Sequence, residues 1–185
     1  MPTVFDSTGT KKIKLTDATD KDKKVVGNGL PKLTLGWSNN LSFGPFGITA
    51  NFVGAFGHSI VNEFRLFYEN NNTGSIQAYN RVKTKYWDPA VTDAQLSTNQ
   101  VESASYVRLS YAQVYYDFDL GANPKYVKRL HVFLAGNNLL TFTGYTGVDP
   151  EIHYTDGGDG LVPGVDRRNT YFTARTFSLG ANFSF

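Results

Sequence analysis

The chain has 185 residues, no cysteine and a formal net charge of +2. Its length suffices for one domain with a sizeable core, and the missing cysteines exclude disulfides and thiolate metal sites. The charge gives no sign of a nucleic-acid partner, because the lysine-dense stretch at 21–24 is interrupted by Asp22 and is typical of a solvated loop. No apolar run approaches the roughly 18 to 20 residues of a membrane helix. The 15% share of aromatic residues suits the girdles of outer-membrane barrels.

Helical periodicity is nearly absent, and alternation of apolar and polar residues dominates instead, which predicts an all-β chain. Residues 1–31, rich in Thr, Asp, Lys and Gly, are predicted to form a loop. The alternating stretches that follow are predicted to be five strands, at 32–43, 47–57, 105–118, 127–137 and 173–185. Each has about 10 to 14 residues, whereas soluble strands have roughly 5 or 6 and tilted membrane strands roughly 9 to 11. The lengths therefore favour a transmembrane antiparallel β-barrel.

Three charged or titratable side chains lie on the polar parity of the predicted third and fourth strands. The apolar parity of the third strand carries residues predicted to share one face: Val107, Leu109, Tyr111 and Tyr115. Arg108 lies on the opposite parity of that strand, and Arg129 and His131 lie on the polar parity of the fourth. In a barrel that face lines the lumen. We therefore predict plug contact or structural pairing for these three residues.

The connections alternate between short and long. Residues 44–47 and 119–126 are short joins, whereas 58–104 and 138–172 are long segments. Outer-membrane barrels have short periplasmic turns and long extracellular loops, so 58–104 and 138–172 are predicted to be extracellular, with 1–31 on the same side. Five strands cannot close a barrel whose smallest bacterial form has about 8, and open edges in lipid are costly. The sequence therefore predicts the C-terminal piece of a larger barrel.

Four stretches, in order, resemble one family. They are VGNGLPKLTLGWSNNLSF (26–43), VESASYVRLSYAQVYYDF (101–118), LAGNNLLTFTGYTGVDPEI (134–152) and GVDRRNTYFTARTFSLGANFSF (164–185). These stretches are similar, in the same order, to four motifs of SusC/RagA-type TonB-dependent outer-membrane transporters. The motifs are Gly-x-x-x-Pro-Lys-x-x-x-Gly, Ala-Ser-Tyr-x-Arg-Leu, Asn-Leu-x-x-(Phe/Trp)-Thr-x-Tyr-x-Gly-x-Asp-Pro-Glu and the closing Arg-Thr-Phe run. Phe172 departs from the pattern, since the family often has proline there.

The resemblance implies that this chain supplies about the last five strands of a 22-strand barrel in the outer membrane of a Gram-negative bacterium. It also implies an N-terminal plug and a SusD-like surface lipoprotein lid. Energy for the import of oligosaccharides or peptides would come through the TonB complex. The apolar parity of the last strand faces outer-membrane lipid in this reading. Its aromatic residues, which by resemblance form the signal read by the barrel-assembly machinery, are Phe177, Phe183 and Phe185.

The long segment 58–104 contains candidate ligand contacts. Residues 58–70 show near-helical spacing of apolar residues and predict a short helix over the barrel mouth. Tyr86 and Trp87 follow in the same segment, and aromatic rings at a mouth can stack on sugars or side chains. The Asp-Pro-Glu at 149–151 is predicted to brace a loop, because Asp-Pro commonly opens a turn.

Enzymatic and cofactor-dependent functions are not expected. The three histidines, His58, His131 and His153, show no metal-binding spacing, and no Ser, His and carboxylate set converges on one face. We therefore predict no catalytic, cofactor or metal site. The alternative function is a soluble β-sandwich or propeller fragment that binds carbohydrate. That reading would need short, evenly spaced strands and no aromatic girdle.

Overall fold

The computed structural model of this chain describes residues 3–5, 12–14, 19–71, 81–87, 89, 94, 96–121, 127–151, 163–168 and 170–185. In this part of the chain the strands are β1 (Thr3–Phe5), β2 (Lys12–Lys14), β3 (Leu33–Phe43), β4 (Phe46–Phe56), β5 (Ser59–Asn62), β6 (Val101–Ser103), β7 (Tyr106–Asp119), β8 (Arg129–Thr143), β9 (Val165–Asp166) and β10 (Thr176–Ser184). One α-helix, α1 (Glu63–Tyr68), and two 3-10 turns (Asp20–Asp22 and Thr98–Gln100) accompany them. The described structure is therefore mostly β, as the alternation predicts.

The largest sheet has five strands in the order β10-β8-β7-β4-β3, and every neighbouring pair is antiparallel. Each of the five predicted stretches overlaps one of these strands. Two boundaries differ from the prediction by three residues or more: β8 continues through Thr143 rather than ending at 137, and β10 begins at Thr176 rather than 173. Residues 138–143 therefore belong to a strand and not to the long segment predicted for 138–172.

One face of this sheet is apolar across all five strands except at Asn39 of β3. A straight cross-strand row of branched aliphatic residues runs over it: Leu41, Ile48, Val114, Leu134 and Leu179. The next row toward the turn between β3 and β4 holds aromatic side chains of β3, β4 and β7: Phe43, Phe46 and Tyr116. This face is open, and the exposed fraction of Leu179 is 79%. The core of the described chain therefore does not lie on this face.

A β-bulge at Ser110 keeps the apolar face continuous. Phe52 of β4 pairs with Leu109, but the next residue, Asn51, pairs with Tyr111, so Ser110 has no partner on β4. One extra residue reverses the side-chain alternation of the strand beyond it. The predicted common face for Leu109 and Tyr111 is therefore wrong. The bulge turns Tyr111 and the residues of its new parity toward the polar face.

The polar face carries small side chains with two aromatic rings lying across glycines. Tyr115 of β7 covers Gly47 of β4, and Phe133 of β8 covers Gly180 of β10. A Cβ atom at either glycine would collide with the ring. Glycine in a strand interior commonly marks such a close approach. The two glycines therefore let bulky rings lie flat against the polar face of the sheet.

A second, smaller body lies where β4 ends and β7 begins. It consists of a three-stranded sheet and helix α1, which directly follows β5 in the chain. The strand order is β6-β5-β9, and β5 pairs antiparallel with β6 and parallel with β9. The small core of this body is formed by Ile60, Ala104 and Tyr145. The predicted helix within 58–70 is confirmed over Glu63–Tyr68, but the strand before it was not predicted. No helix in the described part of the chain has the length and apolar character to cross a membrane.

Candidate functional site

The buried guanidinium of Arg65 joins the small sheet to helix α1. Its Nε donates to Glu69 at 2.8 Å and its Nη1 donates to Glu102 at 2.8 Å. The side chain of Asn62 caps the helix by accepting from the Arg65 backbone N–H at 3.2 Å. A buried charge is tolerated when it is paired and its remaining polar atoms are hydrogen-bonded. Two carboxylates meet this requirement for Arg65.

Glu102 ties a third segment into the same network. Its carboxylate accepts from the Thr146 backbone N–H at 3.0 Å, from the Thr146 hydroxyl at 2.8 Å and from Asn62 Nδ2 at 3.2 Å. Burial acts to raise the pKa of Glu102, but the hydrogen bonds from Arg65, Thr146 and Asn62 outweigh it and hold the pKa below its ordinary value. Glu102 is therefore charged near neutral pH and fixes the segment after β8 to the small sheet.

Asp166 of β9 is fully buried beside this network. Its Oδ2 accepts from the Tyr145 hydroxyl at 2.7 Å and from the Val148 backbone N–H at 3.0 Å. Burial raises the pKa of Asp166, and the hydrogen bonds only partly oppose this. Burial and the neighbouring Asp166 also raise the pKa of Tyr145. The pair holds β9 against the segment after β8.

Arg108 is buried at the loop end of β7, where it binds the Asp-Pro-Glu segment. Its Nη2 donates to Asp149 at 2.5 Å, its Nη1 to Glu151 at 2.9 Å and its Nε to Thr141 at 3.0 Å. The Thr173 hydroxyl also donates to Asp149. Burial opposes ionisation of Asp149, but these hydrogen bonds and the Glu151 N–H hold its pKa below the usual range. The predicted loop brace is present, and Arg108 is structurally paired within this chain.

The other two predicted lumen residues lie at the opposite, turn end of the sheet. His131 and Arg129 project from the polar face of β8, opposite Asp117 and Asp119 of β7. His131 Nδ1 lies 2.6 Å from Asp117 Oδ1, and its ring lies 5.0 Å from that of Tyr115. The parity assignment of both residues agrees with the structure, whereas plug contact stays a prediction.

The predicted ligand contact Tyr86 lies beside helix α1, and a cation from this chain lies over its ring and another over the ring of Trp87. The Arg65 guanidinium lies 3.9 Å from the Tyr86 ring centroid, and Lys83 Nζ lies 4.9 Å from that of Trp87. Trp87 Nε1 is buried without a hydrogen-bond partner. Tyr86 borders a cavity of about 370 Å³, and Trp87 is not among its lining residues. The structure therefore brings Tyr86, but not Trp87, to a candidate ligand site.

The predicted Tyr86 lines this cavity, but the ionic contacts that build the cavity were not predicted from the sequence. Arg65 of α1 and Glu69, which directly follows the helix, form an i,i+4 pair, and the sequence shows that spacing. The second partner of Arg65, Glu102, lies on strand β6, and only the folded structure reveals that contact. In the described part of the chain, no group of three or more His, Cys, Asp or Glu side chains is arranged to hold a metal ion. His153 lies outside the described residues.

The aromatic residues predicted as an assembly signal lie along the last strand. Phe177 and Phe183 lie on the apolar face of β10, opposite Gly136 and Leu130 of β8. Phe185 follows the strand directly, and its exposed fraction is 78%. β10 pairs only with β8 in the described structure, so its other edge is open. The role of these residues in assembly stays a prediction.

The sequence is similar to curated receptors, although no protein-family model matches it. It is 31% identical over 176 residues to TonB-dependent receptor P3 of Formosa agariphila, and the match covers 89% of this chain and 17% of the receptor. It is 27% identical over 179 residues to TonB-dependent receptor P26 of the same organism, covering 89% of this chain and 18% of that protein. The chain thus spans less than a fifth of the length of these relatives.

The fold is also similar to solved structures. The RagAB peptide importer in its closed-closed state matches 98% of this chain and 20% of its own, with a TM-score of 0.74 and 24% identity. A structure of the RagAB peptide transporter matches over the same shares with a TM-score of 0.73. These proteins are receptors and importers, in agreement with the prediction that this chain is not an enzyme. The sequence is thus similar to one segment of the TonB-dependent receptors, and its fold is that of the matching segment of the RagAB importer, as the resemblance to SusC/RagA-type transporters predicts.

Proposed function

We propose that the chain forms part of the wall and mouth of an active importer in the outer membrane of a Gram-negative bacterium. The observation that carries this proposal is the continuous, exposed apolar face of the five-stranded sheet. A soluble sandwich buries such a face against a second sheet. A membrane barrel instead turns it toward lipid and alternates it with a polar interior. The aliphatic and aromatic rows described above fit the second arrangement.

The two outer strands support the proposal that the rest of a barrel completes the sheet. β3 pairs only with β4, and β10 pairs only with β8, in the described structure. An unpaired backbone polar group in lipid costs several kcal/mol. Both edges therefore need strands from elsewhere in the protein. We infer that this chain supplies the last five strands of a 22-strand barrel, with Phe177, Phe183 and Phe185 presented to the assembly machinery.

The polar face and the small body support an assignment of which parts of the chain would face the lumen and which would lie outside the cell. The polar face would line the lumen and meet the plug, with Arg129 and His131 near the short turns. The segments 58–104 and 144–172, together with 1–31, would lie outside the cell under a SusD-like lipoprotein lid. Energy would come from the TonB complex through parts of the protein beyond this chain. The substrates would be oligosaccharides or peptides, and the peptide importers of similar fold support the second class.

The proposal is tested in cells that carry the complete gene. We expect the protein in the detergent-dependent outer-membrane fraction, and we expect uptake of labelled peptides or oligosaccharides that disappears in a TonB-deficient strain. Deletion of SusD-like lipoprotein genes from the same cells tests the proposed lid separately. Recovery of the native protein in the aqueous fraction without detergent would contradict the proposal, as would uptake that is unchanged without TonB.

A further inference from the structure

The cavity beside helix α1 has the size and the lining of a small-molecule site. Its volume is about 370 Å³, within the roughly 300 to 1,000 Å³ typical of ligand pockets. The apolar part of the wall comes from Phe64 and Tyr68 of α1 and from Val82 on the facing segment. The rings of Phe64 and Tyr68 lie 6.2 Å apart in a tilted arrangement. A branched or aromatic side chain of a ligand would fit against this wall.

Most polar groups in the lining are already engaged within the chain. Glu69 accepts from Arg65 and, at 2.6 Å, from the Thr84 hydroxyl. Arg65 is shared between two carboxylates and the Tyr86 ring, and Thr146 donates to Glu102. Recognition of a neutral sugar relies on several polar side chains that are free to bind its hydroxyl groups. This cavity does not offer that set.

The remaining charge at the cavity is positive. Arg81, Lys83 and Lys85 lie on one exposed five-residue segment that carries no carboxylate. Lys85 lines the cavity, and its Nζ lies 4.8 Å from the centroid of the Tyr86 ring. Lys85 has no ion pair among the described residues. An ammonium group at a partly apolar cavity favours a ligand that carries both an anionic and an apolar group.

We propose that this cavity binds the C-terminal residue of a peptide, with the free carboxylate on Lys85 and an apolar side chain against Phe64, Tyr68 and Val82. The inference rests on the proposed import function and specifies its substrate class. An acidic oligosaccharide also carries carboxylates. Its hydroxyl-rich surface, however, matches the apolar wall poorly, because each buried hydroxyl without a partner is costly.

The test uses the complete transporter, purified with its lid protein, and a tripeptide ending in leucine as the probe. Calorimetry compares the free acid with the C-terminal amide for the wild type, Lys85→Gln and the matched control Lys83→Gln. Lys83 lies over Trp87 and does not line the cavity. We expect the acid to bind roughly tenfold tighter than the amide to the wild type and to Lys83→Gln. For Lys85→Gln we expect a ratio near one.

Three outcomes would overturn the inference. The first is equal affinity of the wild type for the acid and the amide. The second is an equal loss of affinity for the acid in both lysine variants. The third is binding of an oligouronate in place of the peptide, with the loss of oligouronate affinity confined to Lys85→Gln. Each of these leaves TonB-dependent uptake in cells intact. Failure of the import function is seen separately, as the absence of TonB-dependent uptake for either substrate class.

Discussion

The substitution Val114→Arg, compared with Gln113→Arg, tests the assignment of the two sheet faces at a single depth. Val114 lies in the middle of β7, between Ile48 and Leu134 in the aliphatic row. Gln113, its neighbour in sequence, projects from the polar face, where its amide oxygen accepts from the Tyr111 hydroxyl. The two substitutions introduce the same charge into the same strand and differ in the face that receives it.

The expected magnitude follows from the cost of a charge in lipid. An arginine on the lipid face costs about 2 to 4 kcal/mol near the bilayer midplane and about 0 to 1 near the interfaces. Since about 1.4 kcal/mol is a factor of ten, Val114→Arg should lower the ratio of folded to unfolded protein by roughly 30-fold to 700-fold. Gln113→Arg should leave it within a few-fold, because its side chain reaches the lumen. The assay is urea unfolding of the complete protein in lipid vesicles. Equal losses for the two variants, or a larger loss for Gln113→Arg, would refute the face assignment.

Three further predictions concern the bulge, the ionic network and the C-terminus. Inserting one alanine after Ser110 should abolish outer-membrane assembly, because the bulge accommodates only one extra residue, so that a second would reverse the alternation again and turn Arg108 toward lipid. Ser110→Ala keeps the residue count and should lower the free energy of unfolding by only about 1 kcal/mol, for the lost hydrogen bond to the Asn51 carbonyl. Heat-modifiability on gels distinguishes this substitution from the change in chain length. Glu102→Gln should abolish an acid-induced loosening of the segment after β8, measured by hydrogen exchange. The folded pKa of Glu102 lies below its ordinary value, so its stabilisation is present above that value and is lost as the pH falls through the folded pKa; an identical pH profile in wild type and variant would contradict this. Deleting Phe185 should lower assembled protein while leaving substrate preference among the remaining molecules unchanged, and altered preference would argue against an assembly role.

The sequence predicts the long strands well where side-chain alternation is uninterrupted. The apolar parities of β3, β4 and β10 are read directly, because every second residue faces the same side. The predicted face assignment of the third strand is wrong beyond Ser110. A bulge is decided by the register of the neighbouring strands, and here Asn51 and Phe52 of β4 set it. Nothing in the local alternation around Ser110 distinguishes a bulge from a regular strand.

The small body was beyond prediction for a different reason. β5, β6 and β9 have four, three and two residues, which is too short for alternation to be recognised. Their pairing joins residues far apart in sequence, as between Val61 and Val165. The partners of Arg65 were missed for the same reason, whereas the brace formed by the Asp-Pro-Glu segment was expected from its turn chemistry. Sequence therefore locates the region of the candidate site but not the contacts that build it.

We propose that one face of the sheet meets lipid and the other face meets the lumen, and that the side-chain alternation of β7 reverses at Ser110. Because this chain has no cysteine of its own, single cysteines along β7 can carry nitroxide spin labels. We measure their accessibility to oxygen, which concentrates in lipid, and to a water-soluble nickel complex, with the complete protein in vesicles. We predict high oxygen accessibility at positions 107, 109, 112, 114 and 116 and low oxygen accessibility at 108, 111, 113 and 115. Unbroken alternation through position 110, or equal accessibility of the two sets, would contradict this prediction.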